Sequence, residues 1–329
     1  EGAKVFLFFF VSMYKNLVRI STKGMSHEKW LEERRNAIGG SDASAVIGVN
    51  PFSSPYYVWA DKLDKVPPKE ESEAMRQGTD LEEYVAHRFT LETGKRVRKC
   101  NAIIYNPDYP FAHANVDRLV VGEDAGLECK TTSQLNLSTF KHGDFPANYY
   151  VQCMHYMMCT GAKKWYLAVL VYSKGFFVFE IKRDEDEINA LAEAEKHFWS
   201  NYVEKEEPPE PDYKAATSDA LNHVYTPNGS EIYAVSDIDK EIDRLNDLKQ
   251  KKSEIDNEIK AAENKIKNFM GDAETLKGTN MICTWKEQSR STYDYKKIFS
   301  ENPQLVEDNY RKKTTSRVFR MKENKKGEK

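Results

Sequence analysis

The 329-residue sequence has no C-x-x-C pair and no cluster of cysteines. Its five cysteines, Cys100, Cys129, Cys153, Cys159 and Cys283, are odd in number and scattered. That excludes a disulfide framework and a zinc-thiolate site, and implies reduced thiols in a cytoplasmic protein. Long apolar runs are missing as well. Val5–Met13 is the longest, far short of the ~20 residues that cross a bilayer. The features of a secretory signal around it are poorly formed. The sequence does not begin with Met, so residues 1–24 are expected to be a non-native or disordered extension, with the start near Met25. Basic excess is also lacking: 49 Lys and Arg against 52 Asp and Glu give a net charge of −3. A nucleic-acid partner would need local basic patches. What is present suffices for a packed core, with 40% hydrophobic and 12% aromatic residues.

Residues 25–212 combine helical and strand periods. "HEKWLEERRNAIGGSDASAVIG" (27–48) reads as helix, glycine turn, helix, with Ser41 or Asp42 capping the second. A short helix follows over 50–64, and a helix over 72–95 with Leu81, Val85 and Phe89 on one face, interrupted at Gly78. The period then changes to two in 101–107, 112–121 and 126–132, the last two joined by the tight loop "GEDAG". A helix over 146–161, an apolar central strand over 164–172, a strand over 176–182 and a helix over 184–206 complete the pattern. Helices flanking a central mixed β-sheet define an α/β domain.

Residues 213–235 read as a linker with one short strand. In 236–272, Ile238, Leu245, Ile259 and Ile266 recur at sevens, and Leu248, Ile255, Ala262 and Phe269 form a second row. Glu241 and Lys252 break the rows. This is a heptad seam, expected to form a coiled coil or helical hairpin. Residues 273–329 suggest a small β-containing unit with a basic tail.

Charges inside two of the strand patterns stand out: Asp117 in "AHANVDRLVV", and Glu128 with Lys130 in "GLECKTT". Adjacent antiparallel strands can bring Asp117 and Glu128 to one point, and Lys130 shares a face with Glu128. Two converging carboxylates repel and call for a cation; an all-oxygen site suits Mg²⁺, with Mn²⁺ as substitute. Lys130 beside that cation is expected to have a depressed pKa and to act on a water. Three solvated charges on an exposed strand are the alternative. Gln152 and Tyr156, four apart, share one face of their helix. Arg34, Arg35, a hydroxyl and the backbone amides of a helix start suit a phosphate, or form only a capped turn.

Taken in order, "GGSDASAVIG", "RQGTDLEEY", the D-x10-E-C-K spacing and "YYVQCMHYMMCTGAKKWYLAVL" resemble the YqaJ-like viral recombinase family. These are phage lambda-type exonucleases of the PD-(D/E)xK nuclease superfamily. The resemblance spans about residues 27–202, with Val116 in place of the superfamily proline. It implies a restriction-endonuclease-like core and a bacterial host cell with a phage or prophage origin. It also implies a Mg²⁺-dependent nuclease digesting one strand of duplex DNA from its ends in the 5′→3′ direction. The 3′ tails would pass to a single-strand annealing protein of the RecT type, and the lambda relatives suggest a trimeric homo-oligomer. Asp117, Glu128 and the Cys129 backbone carbonyl would bind metal, and Glu82 a second metal or its waters. Lys130 would act on the attacking water and Gln152 would orient water or substrate. Arg34 and Ser41 would hold a 5′-phosphate, with Arg35 and Tyr156 as further DNA contacts. A PD-(D/E)xK endonuclease and a non-enzymatic DNA-binding scaffold are the competing readings. The iron–sulfur nucleases of CRISPR systems are disfavoured by the cysteine spacing.

Overall fold

The computed structural model describes residues 16–133 and 140–302, together with 305, 309, 319 and 321. The chain divides into two units, Glu1–Thr226 and Pro227–Lys329.

The first unit is built on a five-stranded sheet of order β2-β5-β6-β7-β8. These strands are Val97–Lys99, Arg118–Val120, Ala125–Thr132, Lys164–Val171 and Gly175–Lys182. β6 and β7 run parallel and the other pairs antiparallel, so the sheet is mixed. A crossover helix, α5 (Ala147–Thr160), makes the parallel step possible. β7 is apolar on both faces because it is covered on both. Trp165, Leu167, Val169 and Val171 join the core of α5 and α6 (Glu185–Phe198), while Tyr166 and Ala168 pack with Val85, Ala86 and Phe89 of α4 (Glu73–Thr93). Gly126 is required where it stands, because a Cβ there would meet the indole ring of Trp165.

A second sheet of order β1-β3-β4 uses Val18–Ser21, Ala102–Tyr105 and His113–Asn115. Two expectations change here. The first is the disordered N-terminal extension: Val18–Ser21 pairs antiparallel with Ala102–Tyr105, and residues 1–15 lie outside the described residues. The second is the single strand over 112–121. It is two strands in two sheets, breaking at Val116-Asp117, so the acid stands at a strand end rather than inside a strand.

Helices α1 (His27–Arg35), α2 (Gly40–Val46) and α3 (Pro55–Lys62) precede the main sheet. α4 runs through Gly78 without interruption, starting at a Ser72 cap and ending at Gly94 in the left-handed region (φ 70°). α5 and α6 are tied by a buried pair in which His155 Nδ1 lies 2.8 Å from Glu195 Oε1. His155 Nε2 contacts the His113 carbonyl at 2.9 Å. Burial opposes a charge on this ring, but Cys159 and Glu195 outweigh it and push the His155 pKa well up.

The expected linker is also corrected. Ala215–Val224 forms α7, and its Ala220, Leu221 and Val224 join the apolar cluster around Trp59 and Val58 of α3. The Lys214 ammonium fixes its start by donating to the carbonyls of Gly48 (2.8 Å) and Ser53 (3.2 Å). Ala216, Ala220, Leu221 and Val224 have helical spacing, but so short a stripe is no more than a weak signal by itself. The second unit contains α8, one unbroken helix over Ser236–Met270, then the antiparallel hairpin of β9 (Thr275–Lys277) and β10 (Ile282–Thr284) and α9 (Tyr295–Glu301).

A chain ending at Thr226 should therefore fold cooperatively. One ending at Tyr213 should lose ~2–5 kcal/mol, at ~1–2 kcal/mol for each apolar side chain uncovered. Denaturant titration of the two checks this; equal midpoints would show α7 to be dispensable.

Candidate active site

The hairpin of β5 and β6 sets the first part of the site. Arg118 pairs with Leu127 and Leu119 with Gly126, so the residue before β5 lies opposite Glu128, and Asp117 Oδ2 accepts the Cys129 N–H at 2.8 Å. Glu128 and Lys130 alternate onto the opposite face from Leu127, under α5. Asp117, Glu128 and Lys130 are thus brought together as expected. The Lys130 ammonium lies 2.6 Å from Glu128 Oε1, with the glutamate side chain 4% exposed.

Gln152 locks this arrangement. Its Oε1 accepts from Lys130 Nζ (2.9 Å), and its Nε2 donates to Glu128 Oε1 (2.8 Å) and to the Tyr156 hydroxyl (2.8 Å). Tyr156 in turn donates to the Asn115 carbonyl at 3.2 Å. The i, i+4 spacing on α5 therefore does bring the two side chains together. Tyr156 is not a DNA contact, however. It is buried, its ring lies tilted against Trp165, and Gly40 of α2 rests directly on it, so that a Cβ at Gly40 would stand 2.5 Å from the ring. It supports Gln152 from below and leaves no face for a phosphate.

The electrostatics differ from the expectation for Lys130. Burial opposes its charge, but the adjoining Glu128 carboxylate, with Asp117 behind it, outweighs burial and pushes the pKa up. In this arrangement Lys130 is an ammonium, because it is itself the cation that the acids hold. The Asp117 pKa also moves up, which for an acid favours the neutral form. Burial, then the neighbouring Glu128 and Glu82 carboxylates, push its pKa well above the ordinary range. Burial and the same acids raise the Cys129 thiol, so its sulfur is a poor ligand and its backbone carbonyl the better one.

Glu82 on α4 is close enough to perturb Asp117, but its carboxylate is held by Arg118, the residue that sequence reasoning missed. The Arg118 guanidinium is buried and pairs with Glu82, with Glu83 (3.0 Å) and with the Asp117 carbonyl (2.8 Å). A cation within the otherwise apolar β5 was the available signal. Glu82 is therefore shared between the acid cluster and a fixed guanidinium.

The second group of residues lies on α1 and α2. Arg34 donates to Ser41 Oγ at 3.0 Å and lies over the Trp30 ring at 4.7 Å. Arg35, one residue on and turned ~100° about the helix, pairs instead with Asp64 at 2.8 Å. It does not join Arg34. Neither Ser41 nor Asp42 is the N-cap of α2. Gly39 is, and Asp42 accepts the Gly39 N–H at 3.0 Å from the first turn. The ammonium of Lys62, unnoticed in the sequence, is buried 2.7 Å from Asp42 and 2.8 Å from the Arg34 carbonyl. Burial works against the Asp42 charge, but Lys62 and Arg34 outweigh it and lower the pKa. The same ammonium, after burial itself, holds His113 neutral, with a pKa pushed down to about 3. Since Gly40 seats α2 on Tyr156, the Arg34–Ser41 pair and the acid cluster rest on one helix, α5.

The donor set fits a hard divalent cation. Glu128 Oε2 is buried with no hydrogen-bond partner, and burial with the neighbouring Glu128 and Glu82 carboxylates outweighs the Cys129 N–H and Lys130 and holds the Asp117 pKa up. Among the described residues, no group of three or more His, Cys, Asp and Glu could hold an ion by side chains alone. The fit is of two carboxylates, a carbonyl and waters, the pattern of a Mg²⁺ site.

A mixed α/β sheet with an acid pair and a lysine at the end of its hairpin, covered by a glutamine-bearing helix, defines the class of protein. Residues 29–163 match the YqaJ-like viral recombinase domain. The chain is 38% identical over 304 residues to YqaJ, an uncharacterised protein of Bacillus subtilis, covering 91% of this chain and 95% of that protein. It belongs to the YqaJ-like family. Among solved structures it is similar to LHK-Exo, an alkaline exonuclease of Laribacter hongkongensis, at 23% identity and a TM-score of 0.46 over 54% of this chain and 93% of that one. It is also similar to a phage-related exonuclease of Haemophilus somnus, at 13% identity and a TM-score of 0.42 over 52% and 96%. Among the described residues no helix is long and apolar enough to cross a membrane.

The raised pKa of Asp117 has a consequence for stability. Its folded value lies above its unfolded value of ~3.9. Its contribution is therefore most favourable at low pH, where both states are protonated, and declines as pH rises through the interval between the two values. Asp117→Asn, which keeps an acceptor for the Cys129 N–H, should raise the unfolding midpoint at pH 7 in chelator by ~2–4 °C for each kcal/mol of repulsion relieved. The gain should vanish near pH 3. An equal or lower midpoint for the variant at pH 7 would contradict the burial of this carboxylate among like charges.

Proposed function

We propose that the chain is a metal-dependent deoxyribonuclease, a 5′→3′ exonuclease on linear double-stranded DNA. The observation that carries this is the convergence of Asp117 and Glu128 around an orphaned carboxylate oxygen, with Lys130 on the same face. Recombination as the setting is supported by the viral recombinase family. Its products would be 3′ single-stranded tails for an annealing protein of the RecT type, in a bacterial cytoplasm, with a ring-shaped homo-oligomer as the working assembly.

Asp117, Glu128 and the Cys129 carbonyl would hold Mg²⁺, with Glu82 contributing through whatever its Arg118 pairing leaves free. The ion supplies polarisation of a water and stabilisation of phosphate charge. Lys130 keeps an ammonium at the reacting phosphate and hands over or holds a proton there. Gln152 fixes the directions of both Lys130 and Glu128, and Tyr156 with Asn115 fixes Gln152. Arg34 and Ser41 would hold the 5′-phosphate through a charge-assisted and a neutral hydrogen bond. α2 spans only seven residues, so its dipole adds little, and Arg34 must supply most of the attraction.

Two measurements test this reading. End-labelled linear duplex should be degraded with Mg²⁺ or Mn²⁺ and remain intact in chelator, and a closed circle should survive. Glu128→Ala should abolish the activity, and Lys130→Ala should lower kcat ~10²-fold, the scale of lost acid–base assistance. Activity in chelator would sink the metal mechanism, and cutting of the circle would favour an endonuclease. Separately, duplex bearing a 5′-phosphate should be degraded faster than duplex bearing a 5′-hydroxyl, and Arg34→Ala should shrink that ratio more than it slows the hydroxyl substrate. Arg35→Ala, whose guanidinium faces Asp64, should leave the ratio unchanged. Equal rates on both ends by the unmutated protein would remove the phosphate anchor.

A further inference from the structure

The 35-residue helix α8 carries an apolar seam that nothing among its own described residues covers; only Met270 is buried along its length. Ile238, Leu248, Ile255 and Ile259 are more than half exposed and Phe269 is 77% exposed. A helix about 52 Å long, at ~1.5 Å per residue, with such a stripe needs a partner along most of its length. DNA is a poor candidate, because acidic and basic side chains along α8 nearly balance.

We propose that α8 pairs antiparallel with α8 of a second copy of this chain, in register about the midpoint of the seam between Ser253 and Glu254. The argument is one of seam and charge. The two heptad rows are Ile238, Leu245, Lys252, Ile259 and Ile266, and Glu241, Leu248, Ile255, Ala262 and Phe269. In an antiparallel pair the rows face each other. Centred on the midpoint, every member of one row meets a member of the other. Ile238 faces Phe269, Leu245 faces Ala262, Ile259 faces Leu248, Lys252 faces Ile255, and Ile266 faces Glu241. Sliding by one heptad in either direction leaves row members at the helix ends without partners.

The flanking charges select the same arrangement. Around the midpoint, Lys251 of one copy lies beside Glu258 of the other, and Lys249 beside Asp256, each contact occurring twice by symmetry. Arg244 and Lys265 oppose each other further out, which weakens the ends relative to the middle. A parallel pair instead sets Arg244 beside Lys249 and Glu258 beside Glu263, with only Lys251 and Asp256 matched. A parallel dimer also stacks Lys252 on Lys252 and Glu241 on Glu241 in the seam. The antiparallel form places each of these against an apolar residue, along which the long stems can lie while the charged ends reach water.

The test uses the full chain in sedimentation velocity over a concentration series, with single and double charge reversals. Lys251→Glu should weaken association at least tenfold, and Glu258→Lys should do the same. The double variant K251E/E258K should recover most of the loss, because the reversed charges face each other again. These side chains are exposed, and circular dichroism should show the fold unchanged. If Glu258→Lys strengthens association, the pair is parallel. If the double variant is worse than either single one, the register is shifted by a heptad. If the chain is a monomer throughout, its own C-terminal segment, whose Phe319 and Met321 lie near Lys249, covers the seam instead. An oligomer indifferent to all three variants is held together elsewhere. Any of these four results overturns the proposal.

Discussion

A half-buried lysine and a buried glutamate, side by side on one strand, set the terms for the rest of the first unit. Lys130 and Glu128 alternate onto the same face of β6, and neither can be left there without a partner. Gln152 satisfies both with one amide, accepting from the ammonium and donating to the carboxylate. To be in reach it must sit on a helix packed over the sheet, as α5 does; Gly40 lets α2 seat on the Tyr156 ring and Gly126 admits the ring of Trp165. The remaining amide proton goes to Tyr156 and the tyrosine proton to the Asn115 carbonyl. A chain of hydrogen bonds thus runs from the acid cluster through α5 to the second sheet.

The same economy explains why the site is poised rather than at rest. Lys130 neutralises one oxygen of Glu128 and leaves the other buried and unpaired. Arg118 neutralises Glu82 and Glu83 but is on the α4 side of the sheet, away from Asp117's carboxylate. Asp117 has a backbone N–H and the more distant Lys130 to set against burial and two acidic neighbours, and burial with the acids prevails. A divalent ion at that point would relieve repulsion and complete the unpaired oxygen in one step. The cost in stability of keeping the acids together without it is the ordinary companion of a binding site.

The protein also separates its charges by depth. Lys62 is buried against Asp42 and the Arg34 carbonyl, so it holds α1, α2 and α3 together. Arg34 is more exposed and has its guanidinium over Trp30, directed at a serine hydroxyl. Of the basic residues near the glycine turn, only Arg34 combines reach, orientation and a hydroxyl neighbour. Arg35 is turned to Asp64 by the geometry of the helix alone.

Local rules were enough for much of this. Periods of two and 3.6 placed the helices and strands that flank the site, because one face of each is buried and the pattern is read directly from that face. The alternation that puts Glu128 and Lys130 together, and the i, i+4 step that joins Gln152 to Tyr156, follow from backbone geometry and needed no tertiary information. What the sequence could not reveal depends on which surfaces meet. The break at Val116-Asp117 divides one apparent strand between two sheets, a choice made by pairing with β2 and β3. Tyr156 reads as a polar helix edge until Gly40 closes over it. Helix α7 reads as a linker because its few apolar residues acquire meaning only against Trp59. The charge that Lys130 carries among these acids is decided in the same way. A spacing of two residues shows that an acid and a base are neighbours, but only the packed structure shows that the ammonium is buried against the carboxylate, where the pair's attraction exceeds the cost of burial.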